Sequence, residues 1–92
     1  MVKLLSVTKS DRAGKKYVAK FDDGTQTHFG AAGYEDFTMH KDEQRKQRYL
    51  DRHRKNENWG DYKSAGSLAR YILWNKPNLS ESIADYKRRF NL

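Results

Sequence analysis

The triplet Asp22-Asp23-Gly24 separates two short runs in which apolar and polar residues alternate, residues 16–21 and residues 25–29. Alternation with a period of two is typical of a β-strand with one buried face. An Asp-Gly pair between two such runs is a strong hairpin signal, because glycine can adopt the positive φ that tight hairpin turns require. The chain is therefore constrained to contain a β-hairpin in its first third.

A further run, residues 2–10, precedes this hairpin, and the Ser, Asp and Gly of residues 10–14 favour a turn between them. Three short strands in succession predict an antiparallel β-meander, which needs a covering layer on its apolar face. The remainder of the chain contains three helical patterns. The predicted fold class is therefore α+β, a three-stranded antiparallel β-meander followed by three helices packed on one face.

The length of 92 residues is enough for one small domain, and we expect a single basic domain over residues 1–92. Its predicted parts are a β-meander at 1–29, a glycine and aromatic loop at 30–38, a basic helix at 39–55 and a helical cover at 64–92.

The loop contains Gly30 and Gly33, which are predicted structural positions on a tight backbone path. Tyr34 and Phe37 are expected to anchor the loop on the core. A phosphate-cradling role is the less favoured alternative, because the Gly-Lys-Ser/Thr ending of a P-loop is missing.

The basic helix is predicted to begin after an N-cap at Thr38 and to run from about His40 to about Arg54. Met39, Tyr49 and Leu50 are its candidates for burial. Five basic residues fall within an arc of roughly 80° on this helix. This basic stripe consists of Lys41, Arg45, Arg48, Arg52 and Lys55.

The stripe is interpreted as a surface for phosphates or for an acidic protein, because residues 41–55 contain seven basic and only three acidic residues. A solvated helix face with internal ion pairs is the alternative. A second basic patch, near the end of the last helix, consists of Lys87, Arg88 and Arg89. Those three cations also suit the negative end of the helix dipole.

The whole chain has 19 Lys and Arg against 12 Asp and Glu, a net charge of +7, which favours a polyanionic partner. The composition offers little for catalysis. There is no cysteine, and the histidines at 28, 40 and 53 are too far apart for a helix-borne zinc pair. We expect no catalytic residues, no metal, no cofactor and no enzymatic activity. Neither a membrane span nor a secretion signal is indicated.

The segments HFGAAGYEDFTMHKDEQRKQRYLDRH (28–53), Asn58-Trp59 and AGSLARYILWNKPNLSESIADYKRRF (65–90) carry a family resemblance. They resemble a family of small uncharacterised basic proteins encoded by nucleocytoplasmic large DNA viruses of algae and protists. The resemblance implies a viral origin, with expression in the cytoplasm or nucleus of an infected cell and packaging into the virion as a further expectation. It supplies no catalytic residues.

The sequence thus predicts a non-enzymatic viral nucleic-acid-binding or genome-associated protein. The basic stripe would contact phosphates, assisted by residues 87–89, with DNA favoured over RNA and with weak sequence specificity. The alternative is a virion structural protein (minor capsid or cement) or a host-interaction protein that binds an acidic protein surface. The oligomeric state is left open.

Overall fold

A computed structural model describes residues 2–92 of the chain. The sheet consists of β1 (Leu4–Lys9), β2 (Lys15–Phe21) and β3 (Gln26–Ala31), antiparallel and in the order β1-β2-β3. The helices are α1 (Phe37–His40), α2 (Glu43–His53), α3 (Ala65–Leu68) and α4 (Leu79–Arg89), and α3 continues as a π-helical segment, Ala69–Leu73. The predicted α+β class and the three-stranded antiparallel meander followed by helices are confirmed.

The core is formed where the sheet meets the C-terminal part of the chain. Alternation along β2 buries Ala19 and Phe21, and the β2–β3 register sets Tyr17 opposite the buried Phe29. The residues that this cluster takes from beyond the sheet are Leu68, Ile72, Leu73, Tyr86 and Leu92. Because more than half of the cluster lies beyond residue 64, the meander depends on the helical cover to bury its apolar face.

Tyr86 is the largest fully buried side chain of this core. Its hydroxyl donates a hydrogen bond of 2.5 Å to the carbonyl oxygen of Tyr62, so its polar end is satisfied inside an apolar cluster. The same burial raises the pKa of the Tyr86 phenol well above its ordinary value.

The loop after the sheet differs from the prediction in two respects. Gly30 and Ala31 extend β3, so the loop begins at residue 32 and not at residue 30. Phe37 is buried as predicted, but Tyr34 is 73% exposed and Met39 is also exposed. The physical reason lies in the backbone: Gly33, at φ 86°, turns the chain so that Tyr34 does not meet the core.

The single basic helix predicted from 39 to 55 is also wrong, because it is divided. α1 is capped by Asp36 and not by Thr38, and it ends at Lys41, which has left-handed geometry with φ 56°. Asp42 then caps α2 by accepting from the backbone N–H groups of Gln44 and Arg45 at 2.9 and 3.3 Å. A carboxylate at an N-cap is favourable enough to begin a new helix here.

Asn75 connects three helical elements. Its carbonyl oxygen accepts from Lys46 Nζ of α2 at 2.7 Å. Its side-chain Nδ2 donates to the carbonyl of Tyr71 at 3.1 Å and to Asp85 Oδ2 of α4 at 2.7 Å. Asn75 itself is buried, so these partly buried bonds satisfy polar groups that water does not reach freely.

The hydrogen bond between Asn75 and Asp85 makes the stability of the fold depend on pH. The Asn75 amide, followed by the Arg89 guanidinium, holds the pKa of Asp85 below its ordinary value of 3.8. A depressed folded-state pKa contributes stability above the unfolded-state value, and that contribution is lost as the pH falls through the folded-state pKa.

We expect Asp85→Asn to be less stable than the wild type near pH 7, with the difference shrinking below about pH 4. Urea midpoints measured from about pH 7 to about pH 3 test this. A difference that remains constant over the whole range would contradict it.

A second prediction concerns Gly30 and Gly33, which both have positive φ, 81° and 86°. A Cβ on Gly30 would lie 2.8 Å from Leu73 Cδ1 and 3.2 Å from Lys16 Cβ, whereas nothing lies within 4 Å of one on Gly33. We expect Gly33→Ala to cost about 1 kcal/mol of unfolding free energy from backbone strain alone.

Gly30→Ala should cost about 1 to 3 kcal/mol more than Gly33→Ala, because it adds a clash with the core. Thermal or urea unfolding of the two variants measures the difference. Equal losses would show that Leu73 moves aside without cost.

Candidate functional site

A cleft of about 660 Å³ lies between α2, the loop after β3 and the outer side of α3. One wall is the edge of α2 that carries Arg45, Arg48 and Arg52. These residues share an edge because spacings of three and four bring helix side chains onto one face. We call this space the arginine cleft.

Aromatic stacking holds α2 at the cleft. The Tyr49 ring lies 4.2 Å from the Trp74 ring at an interplanar angle of 3°, and 4.2 Å from the His53 ring at 28°. Burial of Tyr49 in this stack raises the pKa of its phenol. Together with the buried Leu50, the stack fixes the rotation of α2 about its axis, and therefore the direction of its arginines.

An ion pair fixes the loop that forms the opposite wall. Lys16 Nζ donates to Asp36 Oδ2 at 2.6 Å, and the Asp36 side chain is only 4% exposed. The same carboxylate accepts from the N–H of Thr38 at 3.0 Å, so it both caps α1 and neutralises Lys16. A buried pair with additional hydrogen bonds holds its geometry far better than an exposed pair does.

Glu57 also lines the cleft, and its carboxylate is bound by neighbouring side chains. Its carboxylate accepts from Trp59 Nε1 at 2.9 Å and lies 3.4 Å from His53 Nδ1. It also packs over Gly66, where a Cβ would lie 2.9 Å from Glu57 Cδ. The small residue at this position in α3 therefore provides space for a carboxylate.

The charges of the cleft do not balance. Five cationic side chains line it against the three acidic ones. Arg45 lies 3.7 Å from Glu35, an exposed pair of the kind that contributes little. Within residues 2–92, no carboxylate lies within ion-pair distance of Lys15, Arg48 or Arg52. The cleft thus holds three unneutralised cations, which suits an anionic ligand.

The predicted site residues fall into two groups. Arg45, Arg48 and Arg52 are brought together in the cleft. The others lie outside its lining: Lys41 at the break before α2, Lys55 after its end, and residues 87–89 on α4.

Two cations of the second basic patch are partly neutralised by one carboxylate. Arg88 lies 3.9 Å from Asp85 Oδ1, and Arg89 lies 3.3 Å from Asp85 Oδ2. The Arg89 guanidinium also covers the Tyr71 ring at 4.8 Å. These contacts give the patch a structural role on α4, outside the arginine cleft.

Sequence reasoning missed Lys15, Tyr34 and the small residues of α3 as parts of the site. Lys15 is the first residue of β2, and only the fold brings it to α2. A local signal existed for α3, because Ala65, Gly66 and Ala69 lie on one side of a helix and leave a depression there.

Two further properties concern the described part of the chain. Residues 2–92 contain no group of three or more histidine or acidic side chains arranged to hold a metal ion. None of their helices has both the length and the apolar character needed to cross a membrane.

Comparison with known proteins adds one finding. The model of a family of unknown function (DUF5754) matches residues 5–53, which is more than half of the chain. The chain belongs to DUF5754. The match includes nearly all of the sheet, the loop and all of α2, and therefore every cation of the arginine cleft, whereas α3 and Trp74 lie outside it. No curated protein and no solved structure matches the chain.

The two ion pairs at the loop generate a prediction with an internal control. Asp36→Ala should lower the free energy of unfolding by about 2 kcal/mol, because it leaves the partly buried Lys16 without its partner and removes the cap of α1. The adjacent Glu35→Ala should cost less than about 0.5 kcal/mol, because its pair with Arg45 is exposed.

Urea unfolding of both variants measures these costs. Similar losses in the two variants would contradict the assignment of Lys16–Asp36 as the pair that holds the loop.

Proposed function

We propose that this protein is a non-enzymatic nucleic-acid-binding protein that contacts phosphates with Arg48, Arg52 and Lys15. One observation carries the proposal: these three cations share one cleft and have no carboxylate partner in the described chain. Arginine suits the role because its planar guanidinium can donate two parallel hydrogen bonds to a phosphate.

Two properties support a nucleic acid as the source of the anion. The net charge of +7 would steer any polyanion toward the protein from a distance. The lining of the cleft includes no Asn or Gln side chain, the groups that read adenine, and its arginines, which can also read guanine, are assigned to phosphates in this proposal. Binding should therefore depend on salt and discriminate weakly between sequences.

The proposed contact surface is smaller than the basic stripe that the sequence predicts. A stripe would use Lys41 and Lys55 as much as the arginines between them. A cleft uses only the cations that line it, so Lys41 and Lys55 should add long-range attraction and no direct contact.

The test is fluorescence anisotropy of the full chain with short DNA and RNA strands, from about 50 to about 200 mM salt. We expect Arg48→Glu/Arg52→Glu to weaken binding by more than about tenfold, because two charge-assisted interactions become repulsive. The salt slope should fall by about two, one for each phosphate that the variant no longer binds.

The matched control is Lys41→Glu/Lys55→Glu, which changes the net charge by the same amount at two exposed positions outside the cleft. It should weaken binding clearly less. Circular dichroism verifies that both variants are folded. Equal losses would favour a diffuse basic surface, and no binding by the wild type at low salt would refute the proposal.

One observation favours a second candidate, a protein that binds an acidic partner in a virion or in a host cell. β1 is an edge strand whose Leu5 is 65% exposed, and an edge strand can extend the sheet of a partner. The irregularity between Leu4 and Ser6 limits the regular part of that edge to residues 6–9. The viral origin implied by the family resemblance stays a prediction under either candidate.

A further inference from the structure

Tyr34 is the most exposed large hydrophobic side chain of residues 2–92, at 73%, and it lines the arginine cleft. Its ring packs against no other aromatic ring of the described chain. Its N–H forms a long hydrogen bond of 3.4 Å to the Ala31 carbonyl, which closes the turn that contains the left-handed Gly33. An aromatic ring is thus presented to solvent from a hydrogen-bonded turn at the cleft.

The cleft combines this ring with unneutralised guanidinium groups. Arg48 and Arg52 supply two guanidinium groups for phosphates. On the adjoining wall Ala69 contributes only a methyl group, and the Glu57 carboxylate occupies the space over Gly66. A volume of about 660 Å³ lies within the range of roughly 300 to 1,000 Å³ in which proteins bind ligands of nucleotide size. Proteins that bind unpaired nucleic acid commonly combine phosphate contacts with a stacking ring in this way.

The same geometry is unfavourable for a duplex. A helix that reads double-stranded DNA must present its contact edge freely to a groove about 12 Å wide. The arginine edge of α2 instead forms an inner wall of a cleft, and Glu35 of the opposing loop lies 3.7 Å from Arg45. That carboxylate would repel phosphates near Arg45, and Glu57 would do so near His53. The attractive groups are therefore Arg48 and Arg52, which pair with neither carboxylate.

We propose that the arginine cleft binds single-stranded nucleic acid, with phosphates on Arg48 and Arg52 and one base stacked on the ring of Tyr34. This inference rests on the proposed function and adds the strand preference and the stacking residue. It requires only that an unpaired segment of nucleic acid enters the cleft. A base there can unstack from the adjacent bases and stack on the exposed ring.

The test compares a labelled single strand of DNA with the duplex of the same sequence, for the full chain and three variants. The wild type should bind the single strand at least about tenfold more tightly than the duplex. Tyr34→Ala should lower the single-strand affinity about fivefold or more, because it removes the ring on which one base stacks. Tyr34→Phe keeps the ring and should bind like the wild type.

Leu5→Ala is the control, since Leu5 is a comparably exposed large hydrophobic residue on β1, outside the cleft. It should leave both affinities unchanged. The salt slope separates stacking from charge: Tyr34→Ala should lower affinity with an unchanged slope, because the loss of a stacked base releases no counterion.

Three outcomes would overturn the inference. Duplex binding as tight as single-strand binding, with no effect of Tyr34→Ala, would leave the proposed function standing and remove the strand preference. Displacement of the strand by an equal concentration of adenosine 5′-monophosphate would assign the cleft to a free nucleotide. Absence of binding to either nucleic acid would refute the proposed function as well.

Discussion

The stack of Tyr49 on Trp74 determines where α2 lies, and the cleft depends on that placement. α2 is a highly charged helix that buries only Tyr49 and Leu50. Two buried side chains would ordinarily leave a helix free to rotate or shift on its support. The nearly parallel rings restrict that freedom, and the bond from Lys46 to the Asn75 carbonyl adds a fixed point one turn earlier.

The Lys16–Asp36 pair has the same importance on the other wall, for a different reason. The loop it holds contains Ala32, Gly33 and the exposed Tyr34, so it has little apolar surface with which to attach itself. The pair holds the loop because the buried Asp36 carboxylate would lose its main counter-charge if Lys16 moved away. The Lys16–Asp36 ion pair and the Tyr49–Trp74 stack thus hold the two walls of the arginine cleft.

The fold was largely predictable because its determinants are local. Alternation in residues 16–21 and the Asp-Gly turn specify strand and hairpin, whatever packs on them. The helix boundary was wrong because two carboxylates, Asp36 and Asp42, each cap a helix, whereas the prediction placed a single cap at Thr38 between them. The arc calculated for the basic stripe therefore included Lys41, which precedes α2. The site was less predictable because its parts are distant in sequence.

Lys15, Arg48 and Gly66 show that distance: they come from a strand and two helices, and no periodicity within one element relates them. Tyr34 was predicted to anchor the loop on the core together with Phe37, and only Phe37 does so. The exposure of Tyr34 follows from a turn at Gly33 whose direction only the folded chain reveals.

The π-helical segment allows the helix that begins at Ala65 to contact the sheet with one side and α2 with another. The Trp74 N–H donates to the Ala69 carbonyl, five residues back, at 3.0 Å. One additional residue in a turn rotates all later side chains by about 100° relative to a regular α-helix. Leu68 and Ile72 can therefore cover the sheet while Trp74 faces α2. One residue of helix length sets the angle between the side chains that cover the sheet and the Trp74 ring that contacts α2. An insertion or deletion in this segment would change that angle, so the segment should tolerate a substitution more readily than a change in length.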